Sequence, residues 1–151
     1  MARLVDIFES GDYTRVRTYI QSGNVVFDAP SDVRAQIPAE VSALIKEQLA
    51  LDVPTVARTA SEFEQIVMAN PFLSSHSPDL SALHVDFLAN HPSTDRVAAS
   101  DLGRSPPDEC VPDDRELYLR CPNGLARTKF TSAYLDRTLG TTLAVLDLVR
   151  A

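Results

Sequence analysis

Tryptophan is absent from this chain of 151 residues, glycine occurs five times and cysteine twice. The scarcity of glycine shows in the motifs. There is no Gly-x-Gly-x-x-Gly dinucleotide loop, no phosphate-binding Gly-x4-Gly-Lys and no Gly-x-Ser-x-Gly nucleophile elbow. The aromatic RNA-recognition motif is missing as well. Cys110 and Cys121 form no Cys-x-x-Cys pair and have no histidine at zinc spacing, so neither a zinc site nor a redox pair is expected. No apolar run approaches the roughly 20 residues that cross a bilayer. The first ten residues, MARLVDIFES, hold acids and no uninterrupted apolar stretch, so they do not read as a secretory signal. A cytoplasmic protein with two reduced, buried thiols is the expectation.

A basic half is missing too. Lysines and arginines number 14 against 21 acids, for a net charge of −7. The deficit is even: residues 1–75 carry 6 basic and 10 acidic side chains, residues 76–151 carry 8 and 11. Nucleic-acid affinity comes largely from basic side chains neutralising phosphates, so nucleic acid and anionic membranes are disfavoured partners. What is present is ordinary for a folded domain: 44% hydrophobic and 23% charged residues.

Periodicity places the elements. Leu4, Val5 and Phe8 mark a short first helix ending at Gly11. Val16, Thr18 and Ile20 alternate with Arg15, Arg17 and Tyr19, as in a half-buried strand. A turn at Ser22-Gly23 would pair Ile20 with Val25 and Thr18 with Phe27 on one face. Gln21 with Asn24 and Tyr19 with Val26 would share the other. Ser31 can cap the next helix, over about 38–50, with Pro38 in its first turn and Val41, Leu44, Ile45 and Leu49 facing inward. Val53 to Arg58 is β-branched and predicts a strand. Thr59-Ala60-Ser61-Glu62 matches a capping box, opening a helix that Asn70-Pro71 ends.

Beyond a Ser- and Pro-rich stretch at 73–81, Leu83, Val85 and Phe87 alternate with His84 and Asp86 as another strand. Residues 92–114 are expected to be loop, with one helical turn near Arg96–Ser100. A hairpin over 110–120 turning at Asp113–Asp114 would set Cys110 near Leu117 and Cys121 beyond disulfide reach. Leu117 and Leu119 alternate with Glu116, Tyr118 and Arg120, and Pro122-Asn123-Gly124 turns the chain. Thr128 can cap a helix with Phe130, Ala133 and Tyr134 inward and Gly140 at its end. The tail from Leu143 to Val149 suits helix or strand. The order implies an α+β protein of two ferredoxin-like halves, split β-α-β plaits with antiparallel sheets. The halves would be 1–72 and 82–151, joined by the 73–81 linker, the first lacking its opening strand.

The run Arg17-Thr18-Tyr19-Ile20-Gln21-Ser22-Gly23-Asn24-Val25-Val26-Phe27 resembles the signature of the bacterial domain of unknown function numbered 1697. The likeness continues through Val56-Ala57-Arg58-Thr59, Asn70-Pro71-Phe72, Leu83-His84-Val85, Glu116-Leu117-Tyr118-Leu119 and Thr128-Lys129-Phe130-Thr131, collinear over 3–140. The resemblance implies a cytoplasmic α+β protein of paired ferredoxin-like halves, with no activity, substrate or catalytic residue to carry over. Members usually open with a Leu-Arg-Gly-Ile-Asn strand and carry Thr-x-Arg-Asn-Trp after the last helix. This chain opens at the helix and has Gly140-Thr141-Thr142 in the later position, as a shortened member would.

Strand alternation nominates the site. Arg15, Arg17, Tyr19, Gln21 and Asn24 fall on a polar sheet face, and His84, Asp86, Glu116, Tyr118 and Arg120 are assigned to another. Two such faces can form a cleft, with arginines for an anion and tyrosines for stacking; solvated faces with cross-strand ion pairs are the plainer reading. His84 between Asp86 and Glu116 has the makings of a general base, a carboxylate fixing its tautomer. Arg58 at a strand end and Lys129 in a helix's first turn are further candidates for an anion. His76, His84 and His91 lack metal spacing, and Asp108, Glu109, Asp113 and Asp114 lack that of a calcium loop. The expected function is a module binding a small anionic ligand or a protein, without metal or cofactor. The alternatives are a cofactor-free enzyme acting on an anionic small molecule, and a protein that dimerises through a strand edge.

Overall fold

A computed structural model describes residues 2–19, 23–74, 77–141 and 143–147; side chains of Ala2 and of 143–147 lie outside that description. The fold is α+β, in two compact units, Met1–Ala57 and Arg58–Ala151. The contacts therefore divide ahead of the 73–81 stretch, and the helix that follows Thr59 groups with the second unit.

The first unit runs α1 (Ala2–Ser10), β1 (Thr14–Tyr19), β2 (Asn24–Asp28) and α2 (Ile37–Leu49). β1 and β2 form an antiparallel hairpin in which Tyr19 faces Asn24, Thr18 faces Val25 and Arg17 faces Val26. The register is two residues from the expected one. From Arg17 to Tyr19 a shift of two keeps each side chain on its expected face, the ladder being irregular between Thr14 and Arg17, and Val16, Val25 and Phe27 still pack inward on the core. Ile20, Gln21 and Ser22 lie outside the described residues; Gly23 has φ +83°, the left-handed turn conformation that glycine adopts without strain. The core gathers Ile7, Phe8, Tyr13, Ile37, Val41 and Ile45. Phe27 joins Phe8 and Tyr13 in a cluster of tilted rings, its centroid 4.9 Å from each. The Tyr13 hydroxyl donates to Glu40 Oε2 at 2.8 Å; burial and then that carboxylate push the phenol up to about 12.

Two local expectations give way. Ser31 does not cap α2: Gln36 stands at the N-cap with no side-chain bond, and Pro38 occupies the first turn, where its missing N–H costs nothing. Val53 to Arg58 makes no strand. Pro54 removes a donor, and β-branched residues favour an extended chain without supplying the partner that makes a ladder.

The second unit contains α3 (Ala60–Ala69), β3 (Leu83–Leu88), α4 (Thr94–Ala99), β4 (Glu109–Asp113), β5 (Glu116–Arg120), α5 (Ser132–Leu139) and β6 (Leu143–Asp147). Its sheet has the order β4-β5-β3-β6 with every neighbour antiparallel. α3 opens on the expected capping box, Thr59 Oγ1 accepting from the Glu62 amide while the Glu62 carboxylate accepts from the Thr59 amide. β4 arises inside a segment expected to be loop. Its hairpin turns through Asp114-Arg115, and Cys110 faces Leu119 rather than Leu117. α5 is capped by Thr131, whose hydroxyl accepts from the Tyr134 amide; Thr128 bonds the Phe130 amide instead. Residues 143–147 of the tail are strand.

One sheet face carries Leu88, Cys110, Leu117 and Leu119 beneath Val97 of α4 and Leu135 and Leu139 of α5. On the other, α3 covers Val85, Phe87 and Tyr118: Phe63 lies 6.2 Å from Phe87 between centroids, and Tyr118 donates to the Ile66 carbonyl at 2.9 Å. Both cysteines are free and buried. Among the described residues no helix is long and apolar enough to cross a membrane.

Candidate functional site

Antiparallel partners share a face, and this sorts the sequence candidates. His84 faces Leu119 and Asp86 faces Leu117, whereas Glu116 faces Phe87, Tyr118 faces Val85 and Arg120 faces Leu83. His84 and Asp86 therefore lie on the α4–α5 side, and Glu116, Tyr118 and Arg120 on the α3 side. The expected grouping of all five on one open face is corrected by this register, as is the placing of His84 between Asp86 and Glu116. Over β3 neither face is open, with α3 on one side and α4 with α5 on the other, while Glu109, Val111 and Arg120 stay exposed at the β4 edge of the α3 side.

On the α3 side the polar groups are spent on one another. Arg58 Nε donates to Glu116 Oε1 at 2.9 Å. Arg58 Nη2 donates to the carbonyls of Leu88 at 2.8 Å and Arg115 at 3.1 Å. Arg120 pairs at 2.7 Å with Glu109 on the exposed edge. Those two line a cavity of about 420 Å³ with Pro71, Phe72 and Asp79, and Asp79 already bonds Ser81. Lys129 is exposed, and its backbone N–H donates to Ser105 Oγ at 2.9 Å.

In the first unit, Arg17 and Tyr19 lie on the outward hairpin face with Val26, which is 64% exposed, while Tyr19 is 39% exposed. Asn24, opposite Tyr19, is half-buried. Gln21 lies outside the described residues.

The α4–α5 side holds what the sequence reasoning underrated. Asp86 had only the part of orienting His84. It is 2% exposed, and its Oδ1 has no hydrogen-bond partner among the described residues. Burial first, and then the Asp136 charge on α5, push its carboxyl up to about 7. Asp86 lines a cavity of about 170 Å³ with Leu125, Ala126, Thr128, Phe130, Thr131 and Ser132. β3 brings Asp86 to one wall, and the segment from the turn at Leu125–Arg127 to the capped start of α5 brings Thr128, Thr131 and Ser132 to the others. A signal existed: Asp86 is the one acid in the run Leu83 to Leu88, every residue of which is buried. An acid in a strand covered on both faces needs a partner.

Such an arrangement can hold a small polar group and exchange a proton with it near neutrality. Among the described residues there is no group of three or more His, Cys, Asp or Glu side chains that could hold a metal ion.

A small α+β protein with a strand acid beside a cavity is thus the class that fold and site define. By its family the chain is a member of the proteins of unknown function called DUF1697, whose family model matches residues 1–118. Asp86 and Glu116 lie within the matched region; Thr128, Thr131 and Ser132 lie beyond it. No curated protein and no solved structure matches the chain.

Proposed function

We propose that the chain is a small-ligand-binding module, with its site in the cavity beside Asp86. One observation carries this: Asp86, almost wholly out of water and with an oxygen that no described residue satisfies, lines a space of about 170 Å³. A buried acceptor left without a partner costs about 1–3 kcal/mol, more when charged, and a ligand that donates to Asp86 recovers that. The space is below the roughly 300 Å³ of a typical drug-sized pocket, so the ligand, or the end of it that enters, is compact. The strand order β4-β5-β3-β6 supports reading this unit as a split β-α-β plait.

The test is a thermal melt of the full chain with and without compact polar compounds, cationic, neutral and anionic, for the wild type and for Asp86→Ala. Ligand binding to the native state raises the midpoint, with about 2.7 kcal/mol of stabilisation at a hundredfold excess over Kd. A shift in the wild type that is lost in Asp86→Ala is the expected result. The same shift in both proteins, or none in either, overturns the proposal.

A second reading keeps the expected anionic-ligand or protein surface on the first unit. Its support is the exposed patch of Arg17, Tyr19 and Val26, three outward side chains of one hairpin. Substituting Arg17 and Tyr19 together by Ala would abolish binding there and leave folding intact, since both side chains already face water.

A further inference from the structure

We infer that the group seated against Asp86 is a compact organic cation of the ammonium type, an inference that rests on reading this cavity as a ligand site. Among the described side chains the sheet carries two buried acids, one on each face, and they are treated oppositely. Glu116 has Arg58 against it at 2.9 Å, both side chains less than a tenth exposed. Among the described residues Asp86 has no such built-in cation, and its Oδ1 has no hydrogen-bond partner. The fold thus supplies a counter-charge to one carboxylate and a cavity to the other.

The groups that act on Asp86 sharpen the choice. The charge felt from α5 is Asp136, another acid. From β4 and the end of β5 come Cys110 and Cys121, whose thiols sense the Asp86 charge and are pushed up to about 12 and about 11, burial being the main cause. His84 lies two residues along β3 on the same face. An anionic ligand would meet acids here and would need Asp86 protonated. Calcium and magnesium take six or more oxygen ligands and zinc three or four from His, Cys and carboxylates, and no group of three such side chains that could hold a metal ion is present among the described residues. A primary ammonium needs one carboxylate and neutral acceptors, and Thr128, Thr131 and Ser132 line the same cavity, the hydroxyls of Thr128 and Thr131 each already accepting one backbone amide. The α5 N-terminus opposes a cation with roughly half a charge. A desolvated full carboxylate outweighs it. The same helix end favours an amine that carries an oxygen acceptor on its second or third carbon.

The experiment is calorimetric titration of the full chain with methylammonium, ethanolamine, acetamide and acetate at pH 8 and pH 6. It is repeated with Asp86→Asn and with Ala126→Leu, which narrows the cavity and leaves the carboxylate in place. The amines stay charged across this range, so their affinity follows ionisation of Asp86. With a carboxyl near 7, binding should be about tenfold weaker at pH 6 than at pH 8. Expected besides are tighter binding of ethanolamine than of methylammonium, and loss of both in either variant. Acetate binding that strengthens toward pH 6 and survives Asp86→Asn would overturn the cation while leaving a ligand site. Acetamide binding indifferent to pH would do the same. Failure of all four probes to bind the wild type in the millimolar range would overturn the cation and the ligand site together.

Discussion

Arg58 and Glu116 sit 58 residues apart and meet at 2.9 Å with their side chains 6% and 7% exposed. The guanidinium also lies 5.6 Å from the centre of the Phe87 ring and bonds the carbonyls of Leu88 and Arg115. One side chain therefore ties the residues just before α3 to the end of β3 and the turn between β4 and β5. In the sequence Arg58 reads as a ligand for an anion. In the fold its anion is Glu116.

Arg58→Met should cost about 3–5 kcal/mol in urea unfolding, because it leaves Glu116 buried without its cation. Glu116→Gln should cost less, since the amide oxygen still accepts from Nε. Arg58→Met combined with Glu116→Leu should recover much of the loss, as apolar replacement of a whole buried pair often does. Additive losses in the double variant would show that the pair is not coupled.

Asp86 should reveal itself through pH. Its folded carboxyl lies at about 7 against an ordinary 3.8. The folded state then holds a proton that the unfolded chain releases, so stability falls as pH rises from about 4 and levels off above about 7. The whole penalty is on the order of 4 kcal/mol. Asp86→Asn carries no such proton. It should be more stable than the wild type at pH 8, and the gap should close as pH approaches 4. Parallel stability curves for the two proteins would refute this.

Local chemistry was legible in the sequence and pairing was not. The Thr59–Glu62 capping box and the stop at Asn70-Pro71 need only neighbours along the chain, and both stand as read. The faces of β1 and β2 follow from alternation, which a register shift of two leaves unchanged. Val53 to Arg58 has strand composition, but a ladder needs a partner the sequence does not name. β4 hid among acids and Pro112 because it is an edge strand, where a proline is tolerated. The division of polar residues between the sheet faces depends on whether Asp86 stands opposite Leu117 or Glu116. That single parity is set by distant pairing and decides which candidates can meet. The cavity beside Asp86 was invisible for the same reason, since its walls come from β3 and from a segment some 40 residues later.

The Tyr118 hydroxyl supplies a partner to the Ile66 carbonyl in the last turn of α3. Carbonyls there have none within the helix, and the Asn70 amide goes to Val67. Tyr118→Phe should therefore cost about 1–3 kcal/mol and speed hydrogen exchange in 60–69 more than in α5. Thr59→Ala, at the opposite end of α3, should cost about 0.5–2 kcal/mol. The two losses should sum, because the sites share no partner. Uniform exchange through the whole second unit in Tyr118→Phe would mean that the hydroxyl holds more than α3.

Cys110 and Cys121 should be unreactive while the protein is folded. The thiolate is the nucleophile, and burial pushes the two thiols up to about 12 and about 11. Cys121 is fully buried, and Cys110 faces Leu119 inside the α4–α5 core. At pH 8 a disulfide reagent should label neither thiol in the native chain and both in guanidinium. The slow native rate should track global unfolding, so the destabilised Arg58→Met should be labelled faster than the wild type. Asp86→Asn separates the two causes of protection. It removes a charge that both thiols sense and should stabilise the fold at this pH, so labelling should slow if opening limits the reaction. Faster labelling in Asp86→Asn without loss of stability would show instead that the Asp86 charge is what restrains the thiols.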